Sequence, residues 1–255
     1  MIRDMNGFFV LENRLPESAG FRLWETGHLA ALAGTLMLGA ALCLAYRRRK
    51  SSARLRMRRI LGLSVLLCEL AKDVNLTVQG VMSVYYLPLH LCGLAVFFTL
   101  WHSLMSQRPD KDFFFRVLGN FLYSTCMPGA LFALFFPDWT AYPLLSFHSL
   151  LAFVVHTLLV CYPLMQVLAG DLRPEPGLIG YCGLLLAGLA GAVYCFDRLV
   201  GANYMFLQFP APGSPLEWFA DLLGIPGYLL GYLPMLAVIW GLLYVPFWKK
   251  TDPAP

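Results

Sequence analysis

The segment Leu87-Pro88-Leu89-His90-Leu91-Cys92 places an imidazole and a thiol two residues apart, just after a proline. Proline favours the first position of a helix. A helix is therefore expected to start at Pro88, with His90 and Cys92 in its first two turns. The open N–H groups and positive dipole end there favour a thiolate at Cys92 and a neutral imidazole at His90. A thiolate with a base nearby is the minimum for nucleophilic catalysis by cysteine. Residues two apart on a helix point about 200° apart, at roughly 100° per residue. His90 and Cys92 therefore cannot easily serve each other, and the base for Cys92 should come from another helix.

Four further histidines are His28, His102, His148 and His156. His148 lies at the depth of Cys92, and depth alone makes it the partner. His156 lies deeper by about 12 Å, from eight residues at 1.5 Å each. Its depth matches Glu69 and Asp73, either of which is suited to orient a buried imidazole as the third member of a triad. The competing reading of the same residues is an ion pair of Glu69 with Lys72 at i, i+3, with Asp73 bonded to a neighbouring helix. His28, His90, Cys92 and His148 fall near one membrane face. Imidazole and thiolate are common ligands for zinc, copper or haem, although a tight His-x-x-x-His spacing is absent.

The elements that must hold these groups are membrane helices. Hydrophobic residues make up 58% of the 255 residues and charged residues 13%, where soluble domains carry about 25% charge. A soluble fold of this size cannot hide so much apolar surface, and disorder, coiled coil and DNA binding are excluded with it. A spanning helix needs about 20 mostly apolar residues. Seven such stretches are expected, at 28–46, 60–83, 86–106, 114–136, 143–167, 177–196 and 224–246. The first begins too late for a signal peptide. The seven cysteines are odd in number and nearly all lie inside apolar runs, which argues against a disulfide framework.

Lys and Arg near span ends set the orientation. The loop 47–59 carries Arg47, Arg48, Arg49, Lys50, Arg54, Arg56, Arg58 and Arg59, and the same side gains Arg108, Lys111, Arg116, Arg173, Lys249 and Lys250. The other side has only Arg3, Arg14, Arg22 and Arg198. The split predicts an outer N-terminus and an inner C-terminus. The basic loop is either a topology signal alone or also a contact for anionic lipid. The outer segment 197–223, with Asp197, Asn203, Tyr204, Pro210, Pro212, Gly213 and Pro215, reads either as an interfacial loop or as a lid folded over the bundle.

Several pieces, in their order and spacing, resemble the YwaF-like family of bacterial integral membrane proteins. They are Gly27-His28-Leu29, Leu87 to Cys92, His156-Thr157-Leu158-Leu159 with Pro163-Leu164, Gly201 to Leu207, and Ser214 to Tyr228 with Gly224 and Pro226. That family is similar to eukaryotic transmembrane acyltransferases that make arachidonoyl ether phospholipids through an essential Cys and His. The resemblance implies a multi-pass acyltransferase fold in a bacterial plasma (inner) membrane. It implies Cys92 as the carrier of an acyl thioester and points to His156 as the base, where depth points to His148.

The expectation is an all-α polytopic bundle forming one domain over 1–255, with 1–27 as an outer N-terminal segment. Its expected activity moves acyl chains between phospholipids, with Cys92, His148, His156 and His90 as catalytic residues. Asp73, Asn203, Tyr204 and His28 are the expected substrate-binding side chains. Membrane lipids are the expected partners, without nucleic acid, and no cofactor is required. The alternative is a non-enzymatic protein that binds a metal, haem or small ligand at the outer His/Cys residues.

Overall fold

The computed structural model describes residues 8–11, 14–105, 112–211 and 213–250, with Lys249 and Lys250 in backbone only. Arg3, Arg108 and Lys111 of the charge count, and parts of the expected 1–27 segment, lie outside the described residues. The described chain is helical, with α1 over Thr26–Arg47, α2 over Ser51–Val78, α3 over Leu91–Leu104, α4 over Phe113–Phe121 and α5 over Met127–Phe135. It continues with α6 over Phe147–Ala169, α7 over Ile179–Val200, α8 over Pro215–Leu223 and α9 over Tyr232–Tyr244. A π-helical turn at Leu122–Cys126 joins α4 and α5 into one rod.

Five rods are long and apolar enough to cross a membrane: Thr26–Arg47, Phe113–Phe135, Phe147–Ala169, Pro176–Val200 and Gly227–Trp248. Their outward faces remain apolar, as at Leu36 on α1, Leu184 on α7 and Leu242 on α9. The chain is thus a multi-pass membrane protein by helix length and composition. Two of the seven expected spans, 60–83 and 86–106, are not among the five: the first lies in the polar α2, Ser51–Val78. The expected span 86–106 is helical only over Leu91–Leu104, because Leu87 and His90 adopt extended backbone angles. Pro88 therefore stands outside the helix instead of opening it, and His90 is the N-cap. The expected loop 47–59 is mostly helix, since α2 starts at Ser51, with Arg58 buried and Arg56 and Arg59 exposed. Arg is a good helix former, and charge alone does not break a helix.

Helix α6 is the hub, packing against α1, α2, α3 and α5. Tyr46, Val65, Ala95, Val96, Phe121, Tyr162 and Met165 form the core around it. Ser146 caps its start by accepting from the Ser149 N–H, and Gly170 ends it in the left-handed region at φ 78°. Elsewhere Pro128 has no N–H to give the Ser124 carbonyl one turn back. The Trp240 indole N–H fills that position at 3.2 Å and ties the last rod to the π turn.

Charge is organised by ends. At the basic end Tyr46 Oη donates to Asp171 Oδ2 at 2.6 Å and Arg54 Nη1 donates to Asp171 Oδ1 at 2.9 Å. Arg116 grips Glu175 with two nitrogens. Arg58 is buried under the Phe115 ring, with His102 beside it bonded to Tyr162 Oη at 2.8 Å. The histidines His28, His90, His148 and His156 all lie toward the far end.

Candidate functional site

Cys92 is the second residue of α3 and is half-buried. The first intrahelical bond runs from the Leu94 N–H to the His90 carbonyl at 3.0 Å. The amides of Leu91, Cys92 and Gly93 precede it, so the thiol sits on the open N–H end of the helix. The Leu87–Leu89 turn folds tightly against this end. A Cβ on Gly93 would lie 2.7 Å from the Pro88 backbone, so the close approach requires glycine.

His90, outside the helix as its N-cap, is turned to the 203–206 turn and not to Cys92. Its ring packs against Tyr204 and Phe206 at 5.0 and 5.5 Å. Its Nδ1 accepts the Met205 N–H at 3.2 Å. The expected lid is here a pinned turn. Tyr204 Oη donates to the Val84 carbonyl, Tyr228 Oη to the Phe206 carbonyl and Tyr232 Oη to the Met205 carbonyl. Asn203 uses its side chain inside the same turn, accepting from the N–H groups of Gln208 and Phe209. Met205 and Phe206 both sit at positive φ, 53° and 54°, a costly conformation for residues with a Cβ. Burial pushes the Tyr204 phenol above its ordinary range, which keeps its O–H as a donor. Asp197 is buried at the end of α7, and neither carboxylate oxygen has a hydrogen-bond partner among the described residues.

The two candidate bases on α6 differ in what holds them. His148 Nε2 donates to Asn75 Oδ1 at 3.0 Å, and that oxygen also accepts from Gln79. His156 Nδ1 donates to the Ala152 carbonyl at 2.7 Å. A carbonyl can only accept, so the neutral ring carries its proton on Nδ1 and leaves Nε2 with a free lone pair. A backbone carbonyl thus takes the orienting place expected for Glu69 or Asp73. Those two carboxylates both pair with Lys72 instead, Asp73 at 3.5 Å. His28 is fully buried, accepts from the Trp24 N–H and donates to the Leu134 carbonyl, so both ring nitrogens are engaged in tying α1 to α5.

The loop between α5 and α6 adds two residues that the sequence alone did not single out. Trp139 stacks on His156 with ring centroids 4.9 Å apart and planes at 23°. Its indole N–H is buried and donates to no described residue. The neighbouring Asp138 acts electrostatically on Cys92, His90 and His156 alike. An acidic residue between two apolar spans, beside a tryptophan, was the available signal. Among the described residues no three His, Cys, Asp or Glu side chains come together as a metal-binding group. The ligand set expected for a metal at the outer His/Cys residues is not assembled.

Beside this region an apolar groove of about 370 Å³ runs between α1 and α6. Gly27, Ala31 and Gly34 form one wall, and Leu145, Phe153 and Thr157 the other. Phe153 also meets Trp139 edge-on at 5.5 Å. The groove and the His156 stack thus share Phe153.

The model of the TMEM164 family matches residues 23–244, which takes in every group described above from Trp24 onward. No curated protein and no solved structure matches the chain.

Proposed function

The chain belongs to the TMEM164 family, a family of transmembrane proteins, and we propose that it moves a fatty-acyl chain between phospholipids through a thioester on Cys92. The observation that carries this reading is the fixed tautomer of His156, whose bond to the Ala152 carbonyl leaves Nε2 free beside Trp139, together with a Cys92 thiol on the open N–H end of α3. We take His156 rather than His148 as the base, because its ring is also stacked on Trp139, whose free indole N–H stands beside it. The free Nε2 of His156 takes the thiol proton. The thiolate attacks the ester carbonyl of a donor phospholipid, the carbonyl–oxygen bond breaks, and the leaving alkoxide receives the proton from the imidazolium. A lysophospholipid hydroxyl then gives its proton to His156, attacks the thioester and releases the thiolate.

Two further features suit this chemistry. The amides at the start of α3 are donors of the kind that stabilise a developing oxyanion. The unsatisfied Trp139 N–H is a second donor, and an ester oxygen would relieve its burial. The groove between α1 and α6 holds the acyl tail, in line with its apolar walls. His90, Tyr204 and Asn203 act by holding the pinned turn over the start of α3, and Asp73 by holding Lys72. His28 acts by anchoring α1 beside the groove. The bundle crosses the membrane seven times, with α2 and α3 added to the five apolar rods, the N-terminus outside and the C-terminus inside. The resemblance to the YwaF-like proteins makes a bacterial inner membrane its setting.

Intact-protein mass spectrometry of the purified chain, before and after neutral hydroxylamine, tests the reading. A fatty-acyl mass that hydroxylamine removes and Cys92→Ala lacks is expected. No adduct after incubation with phospholipid, or full transfer activity in Cys92→Ala, overturns it.

A further inference from the structure

At the opposite end of the bundle from Cys92, a pocket of about 370 Å³ is lined by Arg49, Ala53, Arg56, Met57 and Ile60. Four of these residues follow the i, i+3, i+4, i+7 pattern, so they form one stripe along α2. The stripe rises about 10 Å from Ala53 to Ile60, at 1.5 Å per residue. It begins with cationic groups and ends on Ile60, which is 63% exposed. The neighbouring arginines of the same helix are occupied elsewhere. Arg54 is paired with Asp171, and Arg58 is buried under Phe115. The guanidiniums of Arg49 and Arg56, by contrast, make no ion pair or hydrogen bond to any described residue. No acidic residue lies in the first turn of α2.

We infer that this pocket binds a phospholipid with an anionic head group, from the leaflet at the basic end. Two guanidiniums match a phosphodiester in charge and in donor geometry. Met57 and Ile60 lie one to two turns deeper, where the first methylenes of the acyl chains follow. A free phosphate would use the cations and leave this apolar floor uncovered. The site is independent of the Cys92 chemistry and lies away from it.

The full chain in detergent, with phosphatidylglycerol and phosphatidylcholine added in equal amounts, is the direct probe, read by native mass spectrometry. A basic residue near an anionic lipid surface contributes about fivefold in affinity. Arg49→Gln with Arg56→Gln is therefore expected to lower phosphatidylglycerol retention about 25-fold. Arg48→Gln with Arg59→Gln removes the same charge outside the pocket and is expected to change it by less than about fivefold. Ile60→Asn is expected to weaken both lipids. An equal loss in the two double variants, or no preference for phosphatidylglycerol in the wild type, overturns the site. Displacement of the lipid by millimolar inorganic phosphate, with Ile60→Asn silent, overturns the lipid as its occupant. Monodisperse elution of each variant keeps a folding failure from passing as lost binding.

Discussion

Trp139 lies face to face with His156, 4.9 Å between ring centroids, with its indole N–H buried and unpartnered. The two residues come from different elements, the α5–α6 loop and the third turn of α6. The Ala152 carbonyl fixes the proton on His156 Nδ1, and the indole face limits how the ring can tilt. A base so held keeps its Nε2 lone pair in one direction, which is what an activated nucleophile needs.

Substitutions at Trp139 separate its two contributions. Trp139→Phe keeps an aromatic face but removes the N–H, and acyl transfer is expected to fall about tenfold or more, as for loss of one positioned donor. Trp139→Leu also removes the stack, worth about 0.5–1.5 kcal/mol. A further two- to tenfold loss is then expected. Rates for both variants against wild type, at matched melting temperature, check this. Equal rates for wild type and Phe would leave the indole N–H without a role.

Gly93 offers a sharper structural test. A Cβ there would meet the Pro88 backbone at 2.7 Å, and backbone cannot step aside as a side chain does. Gly93→Ala is expected to destabilise the chain by about 1–3 kcal/mol, the range for overpacking. It should also displace the start of α3 and with it Cys92. A lowered melting temperature together with loss of the hydroxylamine-sensitive adduct is the expected pair of results. Unchanged stability would mean that the turn at Leu87–Leu89 is looser than its contacts imply.

The apolar stretches were legible in the sequence because they follow from composition, whereas the 200° separation of His90 from Cys92 assumed a helix that His90 does not join. The start of α3 was not legible. Pro88 suits a helix N-terminus, yet the extended Leu87 and His90 angles and the contact with Gly93 place the helix three residues later. Arg54 read as loop charge because its partner, Asp171, is 117 residues away. The choice between His148 and His156 could not be made from depth. What holds each ring, Asn75 for His148 and Ala152 with Trp139 for His156, exists only once α2, α6 and the α5–α6 loop are assembled.

The pairing of Ser124 with Trp240 predicts a coupling through a missing N–H. Trp240→Phe leaves the Ser124 carbonyl without its 3.2 Å donor. A buried unpaired acceptor costs about 1–3 kcal/mol. Pro128→Ala restores an amide one turn after Ser124, so Trp240→Phe is expected to cost less in that background. Chemical-denaturation midpoints for the four proteins of the double-mutant cycle give the coupling directly. Simple additivity would show that the indole bond is not what satisfies Ser124.

Gly34 lets the groove between α1 and α6 be filled without disturbing the helices. It lines the groove, and a Cβ built on it meets nothing within 4 Å. Leucine there occupies groove volume, and the swap also removes a helix-interior glycine, which is unfavourable by about 1 kcal/mol against alanine. Gly34→Leu is therefore expected to keep or raise the melting temperature while lowering transfer of long acyl chains. A leucine side chain takes the space of about four carbons, so shorter chains should be transferred nearly as well as by wild type. The ratio of rates for a long and a short donor, wild type against Gly34→Leu, is the measurement. A uniform loss at every chain length would place the tail elsewhere, and no loss at all would separate the groove from the reaction.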